Sequence, residues 1–232
     1  MQDKYTKVKM RDWGETRAHS SWQVFKIMAE FVQGFETLAK LGPCITIFGS
    51  ARTQPDTKYY NLAQEIAKRL CEEGFGIITG GGPGIMEAGN KGAHLANGTS
   101  VGINIELPFE QGSNAFVSSD YNINFDYFFV RKVMFSKYSQ GFIMMPGGWG
   151  TMDEFFEIAT LIQTRKFTQT PMICIGKEYW GGLFDWMEKV MLEQYGNISP
   201  GDLDLIRIFD TADEVVNYFS DFYSHNKLQP NF

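Results

Sequence analysis

The sequence predicts a doubly wound, Rossmann-like α/β fold with a parallel sheet, forming a single domain with one added N-terminal helix. Three observations predict it. Strand-like and helical patterns alternate along the chain. The strand-like runs are continuously apolar, as parallel strands buried on both faces require. Two of the runs, GIITGGGPGIM and GFIMMPGGWGTM, end in glycine clusters that lead into helices. In this fold class, ligands bind where the strands end.

Periodicity and turn formers give the individual elements. The predicted helices are 20–40, 57–73, 84–96, 127–139, 151–165, 179–195 and 211–224, and the predicted strands are 44–50, 76–81, 100–107, 122–126, 141–146, 170–176 and 205–210.

These elements divide the chain into three parts. We expect residues 1–43 to form an N-terminal extension with an amphipathic helix, 44–224 a Rossmann-like domain with its ligand site, and 225–232 a tail. The loop 108–120 is rich in turn formers and suits a lid or an interface.

Composition narrows the class of protein. The chain has 232 residues, of which 44% are hydrophobic, and a formal net charge of −6. Without a basic stripe, a nucleic-acid partner is not expected. The polar start MQDKYTKVKM has no apolar segment, which predicts a cytoplasmic protein without a signal peptide, and no run is long enough to span a membrane. The three histidines and three cysteines lack zinc-ligand spacing, so no metal site is predicted.

The glycine clusters suit a phosphate. Glycine lets a ligand approach the backbone closely, and the following helix directs free N–H groups at the turn. The first cluster does not fit the dinucleotide fingerprint, because no glycine lies between Gly84 and Gly89. It does not fit the P-loop either, because Asn90 stands in place of lysine. A purely structural role, in which the glycines only permit tight turns, stays open.

Two pairs of charged residues are candidates for a role at the ligand site. Arg131 and Lys132 interrupt the apolar run YFFVRKVMF, and a cation pair in such a run needs a partner. An anionic ligand and an internal salt bridge are both possible partners. Asp153 and Glu154 begin the helix after the second glycine cluster, where a carboxylate also favours the helix dipole. Trp149, between the glycines, either covers a ligand or caps the turn.

Three segments carry a resemblance to a known family. GGGPGIMEAGNKGA, FFVRKVMFSKY and PGGWGTMDE resemble the LOG (Lonely Guy) family, often labelled lysine decarboxylase. The family signature PGGxGTxxE fits Pro146 to Glu154 at every fixed position. FGSAR and NIELPFEQ resemble its longer bacterial branch.

The resemblance implies a Rossmann-like homodimer or larger homo-oligomer that hydrolyses the N-glycosidic bond of nucleoside 5′-monophosphates. Cytokinin riboside monophosphate and AMP are the implied substrates, and free base and ribose 5-phosphate the products. It implies Arg131 and Glu154 as catalytic residues. The implied substrate-binding residues are Lys132, Gly147, Gly148, Gly150, Thr151, Gly81, Gly82 and Glu87. Glu87 departs from the plant pattern GGGSxGLMG, which leaves its effect on base choice open.

The chemistry suits these residues. Cleavage of an N-glycosidic bond develops positive charge on the ribose, which the carboxylate of Glu154 would stabilise while it orients the attacking water. No metal or organic cofactor is needed. A pyridoxal-phosphate decarboxylase would need a Schiff-base lysine, for which only Lys132 is at hand. The alternative function is a non-catalytic carrier or sensor of a phosphorylated ligand, similar to the molybdenum cofactor carriers.

Overall fold

The computed structural model describes residues 13–106, 112–167 and 170–231, with side chains from residue 22 onward. Seven strands form one sheet in which every neighbouring pair is parallel. The strands are β1 (Cys44–Phe48), β2 (Gly76–Thr79), β3 (Ser100–Ile105), β4 (Asn122–Phe125), β5 (Ser139–Met144), β6 (Met172–Ile175) and β7 (Ile206–Phe209).

Within the described residues, seven α-helices connect and flank the strands. They are α1 (Trp13–Leu38), α2 (Lys58–Glu72), α3 (Ile85–Leu95), α4 (Phe128–Tyr138), α5 (Trp149–Gln163), α6 (Lys177–Trp186) and α7 (Ala212–His225). Each predicted strand and helix is present in the predicted order, and the doubly wound parallel fold is confirmed.

The strand order is β4-β3-β2-β1-β5-β6-β7. The chain builds outward from β1 to β4 and then returns to the other side of β1 with β5. Ile47 of β1 therefore lies beside Ile143 of β5, while Thr46 of β1 lies beside Ile78 of β2. The chain changes direction between β1 and β5, and a doubly wound sheet opens a crevice at that point.

Two apolar clusters cover the faces of the sheet. One includes Leu38, Met134 and Phe155, from α1, α4 and α5, and the other includes Ile66 and Val215, from α2 and α7. Because both faces are covered, the central strands are buried along their whole length, which explains their continuous apolar sequences. No described helix has the length and apolar character needed to cross a membrane.

Helix α1 packs on α4 and supports its start. Gly34 makes the close approach possible, since a Cβ there would lie 2.7 Å from the Met134 sulfur. The Glu30 carboxylate accepts a hydrogen bond of 2.8 Å from the backbone N–H of Asp126 and a longer one from that of Tyr127. These N–H groups lie just before the first turn of α4, so Glu30 fixes how the chain enters that helix.

The structure differs from the predicted elements mainly at helix ends. Helix α1 begins at Trp13, seven residues before its predicted start. The predicted helix 179–195 is instead α6 followed by a π-helical segment, Met187–Gln194. Short 3-10 turns, Ser119–Tyr121 and Leu203–Leu205, precede β4 and β7. Residues 108–111 of the predicted loop lie outside the described residues.

Candidate active site

A cleft of about 740 Å³ opens at the carboxyl ends of the central strands, at the point where the strand order reverses. It is lined by residues that follow β1, β2, β3 and β5 and by residues of α4 and α5. Ser50, after β1, connects the two glycine turns: its N–H donates to the carbonyl of Pro146 at 3.1 Å, and its carbonyl accepts from Ile85 N–H at 3.0 Å.

The first glycine turn, residues 80–84, is held by contacts within the protein. Gly84 has φ +69°, and a Cβ there would overlap the carbonyl oxygen of Ser50. Gly81 has φ +74°, and its N–H donates to the Thr79 hydroxyl at 2.9 Å. The Asn114 amide donates to the carbonyls of Gly81 and Gly82, each at 3.0 Å. The first N–H of α3 also has a protein acceptor, so the protein itself holds this turn, although Gly80 and Gly82 still line the cleft.

The second glycine turn, residues 147–151, faces open space. A Cβ added at Gly148 or Gly150 would meet no atom within 4 Å. Across the described parts of the chain, the backbone N–H groups of Trp149, Gly150 and Thr151 have no hydrogen-bond acceptor. They are the first N–H groups of α5 and carry the positive end of its dipole. This turn can bind an anion in the way that the sequence predicted for both turns.

Arg131 reaches the cleft from α4. Its Nε donates to the carbonyl of Ile103 at 2.8 Å, and its guanidinium lies 5.2 Å from the centre of the Phe135 ring. A Cβ at Gly80 would overlap one of its terminal nitrogens. Because Gly80 has no side chain, the Arg131 guanidinium can pack directly against the first glycine turn.

Glu154 is the buried carboxylate of the cleft. Its residue is 8% exposed, although it lines the opening. Burial raises the pKa of Glu154 to about 7, against the lowering effect of the Lys132 and Arg131 charges and with a further rise from Glu157 and Asp153. The group is therefore partly protonated near neutral pH and exchanges protons in the range where a general acid or base is most effective.

Lys132 is engaged by two carboxylates. Its Nζ lies 2.8 Å from an oxygen of Asp153 and also forms a short hydrogen bond with Glu157. Burial lowers the pKa of Lys132, but the hydrogen bonds to Asp153 and Glu157 outweigh it and raise the pKa above its ordinary value. Of the two partners left open by the sequence for the cation pair, the structure gives Lys132 the internal salt bridge.

The predicted site residues are thus only partly brought together. Those lining the cleft are Arg131, Glu154, Gly82, Gly148, Gly150 and Thr151. Lys132, Gly81, Gly147 and Glu87 are not among its lining residues.

Gly147 and Glu87 have other neighbours. A Cβ at Gly147 would overlap the Thr151 side chain, and the Gly147 carbonyl accepts a hydrogen bond from the Tyr179 hydroxyl. The Glu87 carboxylate accepts a hydrogen bond of 2.7 Å from the Tyr60 hydroxyl. Trp149 also lines the cleft, and it is 92% exposed.

Sequence reasoning missed three residues. Arg52 lines the cleft two positions after Ser50, in the segment FGSAR that had marked only a branch of the family. Asn114 holds the first turn, and Asn90 joins it by accepting hydrogen bonds from Asn114 and Thr79. A usable signal for Arg52 was its position just after the first strand of a doubly wound sheet, where ligands bind. The two asparagines carried no comparable signal.

The cleft residues do not fit a Schiff-base cofactor. The reactive lysine of such an enzyme must lose its proton, whereas Asp153 and Glu157 stabilise the protonated form of Lys132. Among the described residues, no group of three or more His, Cys, Asp or Glu side chains could hold a metal ion.

A parallel, doubly wound sheet with an open helix N-terminus and a buried carboxylate at its switch point defines a Rossmann-like protein built to bind a small anionic ligand. Comparison with known families makes this specific. Residues 86–219 match the family model described as "Possible lysine decarboxylase". The chain belongs to this family, the one that its sequence motifs resemble.

Curated relatives carry a more specific name. The chain is 24% identical over 185 residues to the cytokinin riboside 5′-monophosphate phosphoribohydrolase LOG3 of Arabidopsis thaliana, covering 77% of this chain and 82% of the relative. It is 25% identical over 159 residues to a cytokinin riboside 5′-monophosphate phosphoribohydrolase of Rhodococcoides fascians, covering 67% of this chain and 78% of the relative.

Solved structures show the same fold. The molybdenum cofactor binding protein of Rippkaea orientalis matches with a TM-score of 0.58 at 19% identity, covering 79% of this chain and 98% of that one. The Moco carrier protein of Chlamydomonas reinhardtii matches with a TM-score of 0.57 at 20% identity, covering 79% and 99%. At these identities the likeness concerns the fold alone.

Proposed function

We propose that this protein hydrolyses the N-glycosidic bond of nucleoside 5′-monophosphates, such as cytokinin riboside monophosphate or AMP, to a free base and ribose 5-phosphate. The observation that carries the proposal is Glu154, a buried carboxylate that lines a cleft together with Arg131 and the open start of α5. The names of the curated relatives support the same reaction.

In this mechanism Glu154 is ionised and lies beside the ribose. Positive charge grows on the sugar as the bond to the base breaks, and a carboxylate in a poorly solvated cleft stabilises that charge strongly. The same carboxylate orients the attacking water and accepts its proton. The water oxygen bonds to the ribose, and the base leaves with the electron pair of the broken bond and takes up one proton. Arg131, held by Ile103 and Phe135, either hydrogen-bonds the departing base or holds the phosphate and orients Glu154.

The phosphate binds at the second glycine turn. The three free N–H groups of Trp149, Gly150 and Thr151 receive its oxygens. Thr151 adds its hydroxyl, and Gly148 and Gly150 leave the space open. The first turn, with Gly82 at the wall of the cleft, borders the opposite end of the nucleotide.

A product assay tests the proposal. Purified protein is incubated with AMP, GMP, CMP and isopentenyladenosine monophosphate, and free bases are separated by chromatography. Wild type should release base, at a rate that rises with pH through about 7 as Glu154 ionises. Glu154→Gln should lose at least ~100-fold of this rate, while Glu188→Gln, an exposed carboxylate outside the cleft lining, should keep it.

The alternative function, a non-catalytic carrier, predicts the opposite result in this assay. It requires that no nucleotide yields free base, while a phosphorylated ligand still raises the melting temperature of the wild type. The relatives of known structure that are named cofactor carriers justify testing it. A carrier gains nothing from a carboxylate held beside its ligand, and Glu154→Gln would then bind at least as well as wild type.

We also propose a homodimer or larger homo-oligomer. Support comes from α1, which exposes the large apolar side chains of Trp22, Phe25, Met28 and Val32. An exposed apolar stripe of this kind is typical of an interaction surface. Light scattering should give at least twice the 26.4 kDa chain mass, and Phe25→Glu should reduce it. The cytoplasmic location and the boundaries of extension, domain and tail stay predictions.

A further inference from the structure

A nucleotide phosphate in this cleft needs a cation. Three backbone N–H groups and a helix dipole supply partial charges, whereas the phosphate of a nucleoside monophosphate carries nearly two negative charges near neutral pH. Phosphate sites in proteins commonly add an arginine or lysine side chain. The family resemblance implied Lys132 as a substrate-binding residue, and Arg131, the other cation of the pair, is already held by the Ile103 carbonyl.

The contacts of Lys132 argue against that role. Its side chain is 17% exposed and its Nζ is held by Asp153 and Glu157. It is not among the residues that line the cleft. To reach a phosphate, the ammonium would have to leave two carboxylates, and a partly buried ion pair that loses one partner leaves uncompensated charge behind.

Arg52 has the opposite properties. It is exposed and lines the cleft, and its guanidinium has no ion pair or hydrogen bond with any residue in the described ranges. Its backbone is fixed, because its N–H donates to the Ser50 hydroxyl at 3.1 Å and its carbonyl accepts from Gln54 at 3.2 Å. Ser50 in turn bonds to Pro146, the residue just before the second glycine turn. An arginine without an ion pair is therefore presented by the loop after β1, and β1 pairs with β5, the strand that leads into the open N–H groups.

We propose that Arg52 binds the 5′-phosphate of the substrate together with the start of α5, and that Lys132 is a positioning residue for Glu154. This inference rests on the proposed function. A guanidinium offers paired N–H donors that match two phosphate oxygens, so Arg52 contributes geometry as well as charge.

Lys132 acts on Glu154 through its ion pairs with the neighbouring carboxylates of α5. It crosses from α4 to the two acidic residues of α5 that lie one position before and three positions after Glu154. The charged groups around Glu154 are Arg131 and Lys132 on α4 and Asp153 and Glu157 on its own helix. Removing Lys132 takes away the largest lowering effect on the pKa of Glu154 and frees two negative charges beside it, so the pKa of Glu154 must rise further.

Binding measurements distinguish the two cations. In a Glu154→Gln background, which prevents turnover, titration calorimetry at about pH 8 compares AMP with adenosine. Adding Arg52→Met should weaken AMP binding at least ~10-fold and leave adenosine binding unchanged, since only AMP carries the phosphate. Arg207→Met, an exposed arginine of β7, is the matched control and should change neither. Arg52→Lys should recover part of the loss.

Rates as a function of pH test the second half. Lys132→Met in the otherwise wild-type chain should move the acidic limb of the rate profile to higher pH, and Lys132→Arg should restore it. In the Glu154→Gln background, Lys132→Met should keep the AMP affinity within ~3-fold.

The outcomes separate this inference from the function it rests on. Equal AMP affinity in the Arg52→Met and control proteins, or a selective loss of AMP affinity in Lys132→Met with an unmoved pH profile, would overturn the inference alone. AMP binding without any release of base from the wild type would overturn the proposed hydrolase, while the contact of Arg52 with the phosphate would still be decided by the calorimetry. No AMP binding at all would overturn both.

Discussion

The two glycine turns look alike in sequence and differ in what surrounds them. At the first, glycine is required because protein atoms occupy the space of a side chain: Ser50 beside Gly84, Arg131 beside Gly80. At the second, Gly148 and Gly150 face nothing within 4 Å. Asn114 and Thr79 also bond to the backbone of the first turn at Gly81 and Gly82, whereas no described side chain bonds to the first N–H groups of α5. The protein holds the first turn in place, whereas the second turn has room at Gly148 and Gly150 for a ligand.

The largest effect is expected at the first turn. Gly84→Ala introduces a Cβ at φ +69° that overlaps the Ser50 carbonyl. Backbone strain and overpacking together should lower the free energy of unfolding by about 2–5 kcal/mol. Chemical denaturation measures it, with Gly182→Ala as control, because a Cβ at Gly182 meets no atom within 4 Å. Equal stability of the two variants would erase the distinction between the turns.

In the helix after the second turn, we expect the functional residue Glu154 to lower the stability of the fold. The pKa of Glu154 is raised from 4.5 to about 7 in the fold, so folding favours its protonated form. Stability is therefore lost as pH rises from about 4.5 through 7, by roughly 3 kcal/mol. Glu154→Gln lacks this loss and should be more stable than wild type at about pH 8 but not at about pH 4. Parallel unfolding curves at the two pH values check it, and a constant difference would contradict it.

A smaller effect is expected from the amides that hold the first turn. Asn114→Ala removes hydrogen bonds to Gly81, Gly82 and Asn90. The loss should be about 1–3 kcal/mol of unfolding free energy, because the Gly82 carbonyl loses its donor, whereas the Gly81 carbonyl keeps the backbone N–H of residue 114 and Asn90 keeps Thr79. Asn217→Ala, an exposed position on α7, should stay near wild type. If AMP affinity falls while stability does not, the first turn has a ligand role that its contacts do not suggest.

The smallest change in stability should come from Gly150→Ala. The added methyl group lies in open space and replaces glycine in a helix, so the free energy of unfolding should change by less than ~1 kcal/mol. AMP affinity should nevertheless fall several-fold, because the methyl group stands where the phosphate binds. Thermal unfolding and AMP titration on the same preparation test both halves, and unchanged affinity would place the phosphate elsewhere.

Much of the fold could be read from the sequence for a simple reason. Strands buried on both faces have to be continuously apolar, and β1, β2 and β5 are. Helix ends were less certain because they depend on local bonds: α1 extends to Trp13, and α6 passes into a π-helical segment.

The site was only partly readable. Arg131 and Glu154 could be predicted because Arg131 interrupts an apolar run, Glu154 follows the second glycine cluster, and the family resemblance implied both. The partners of Lys132 could not, although Asp153 and Glu157 have the four-residue spacing of one helix face. The sequence did not predict Arg52 as a site residue, because its place at the cleft depends on β1 lying beside β5. The two strands are almost one hundred residues apart in the chain. Spacing along the chain also failed to separate an occupied glycine turn from an open one.

The hydrogen bonds from Asp126 and Tyr127 to Glu30 bear on where a functional fragment of this protein can begin. The family match starts at residue 86 and the sheet at Cys44, so a truncation guided by either would discard α1. A fragment that starts at residue 86 would lose part of the cleft lining, which runs from Phe48 to Glu154. A fragment that starts at Cys44 would keep the whole lining, but the helix that bears Arg131 would lose the carboxylate at its entry. The smallest fragment worth expressing is therefore set by one glutamate that never touches the substrate site.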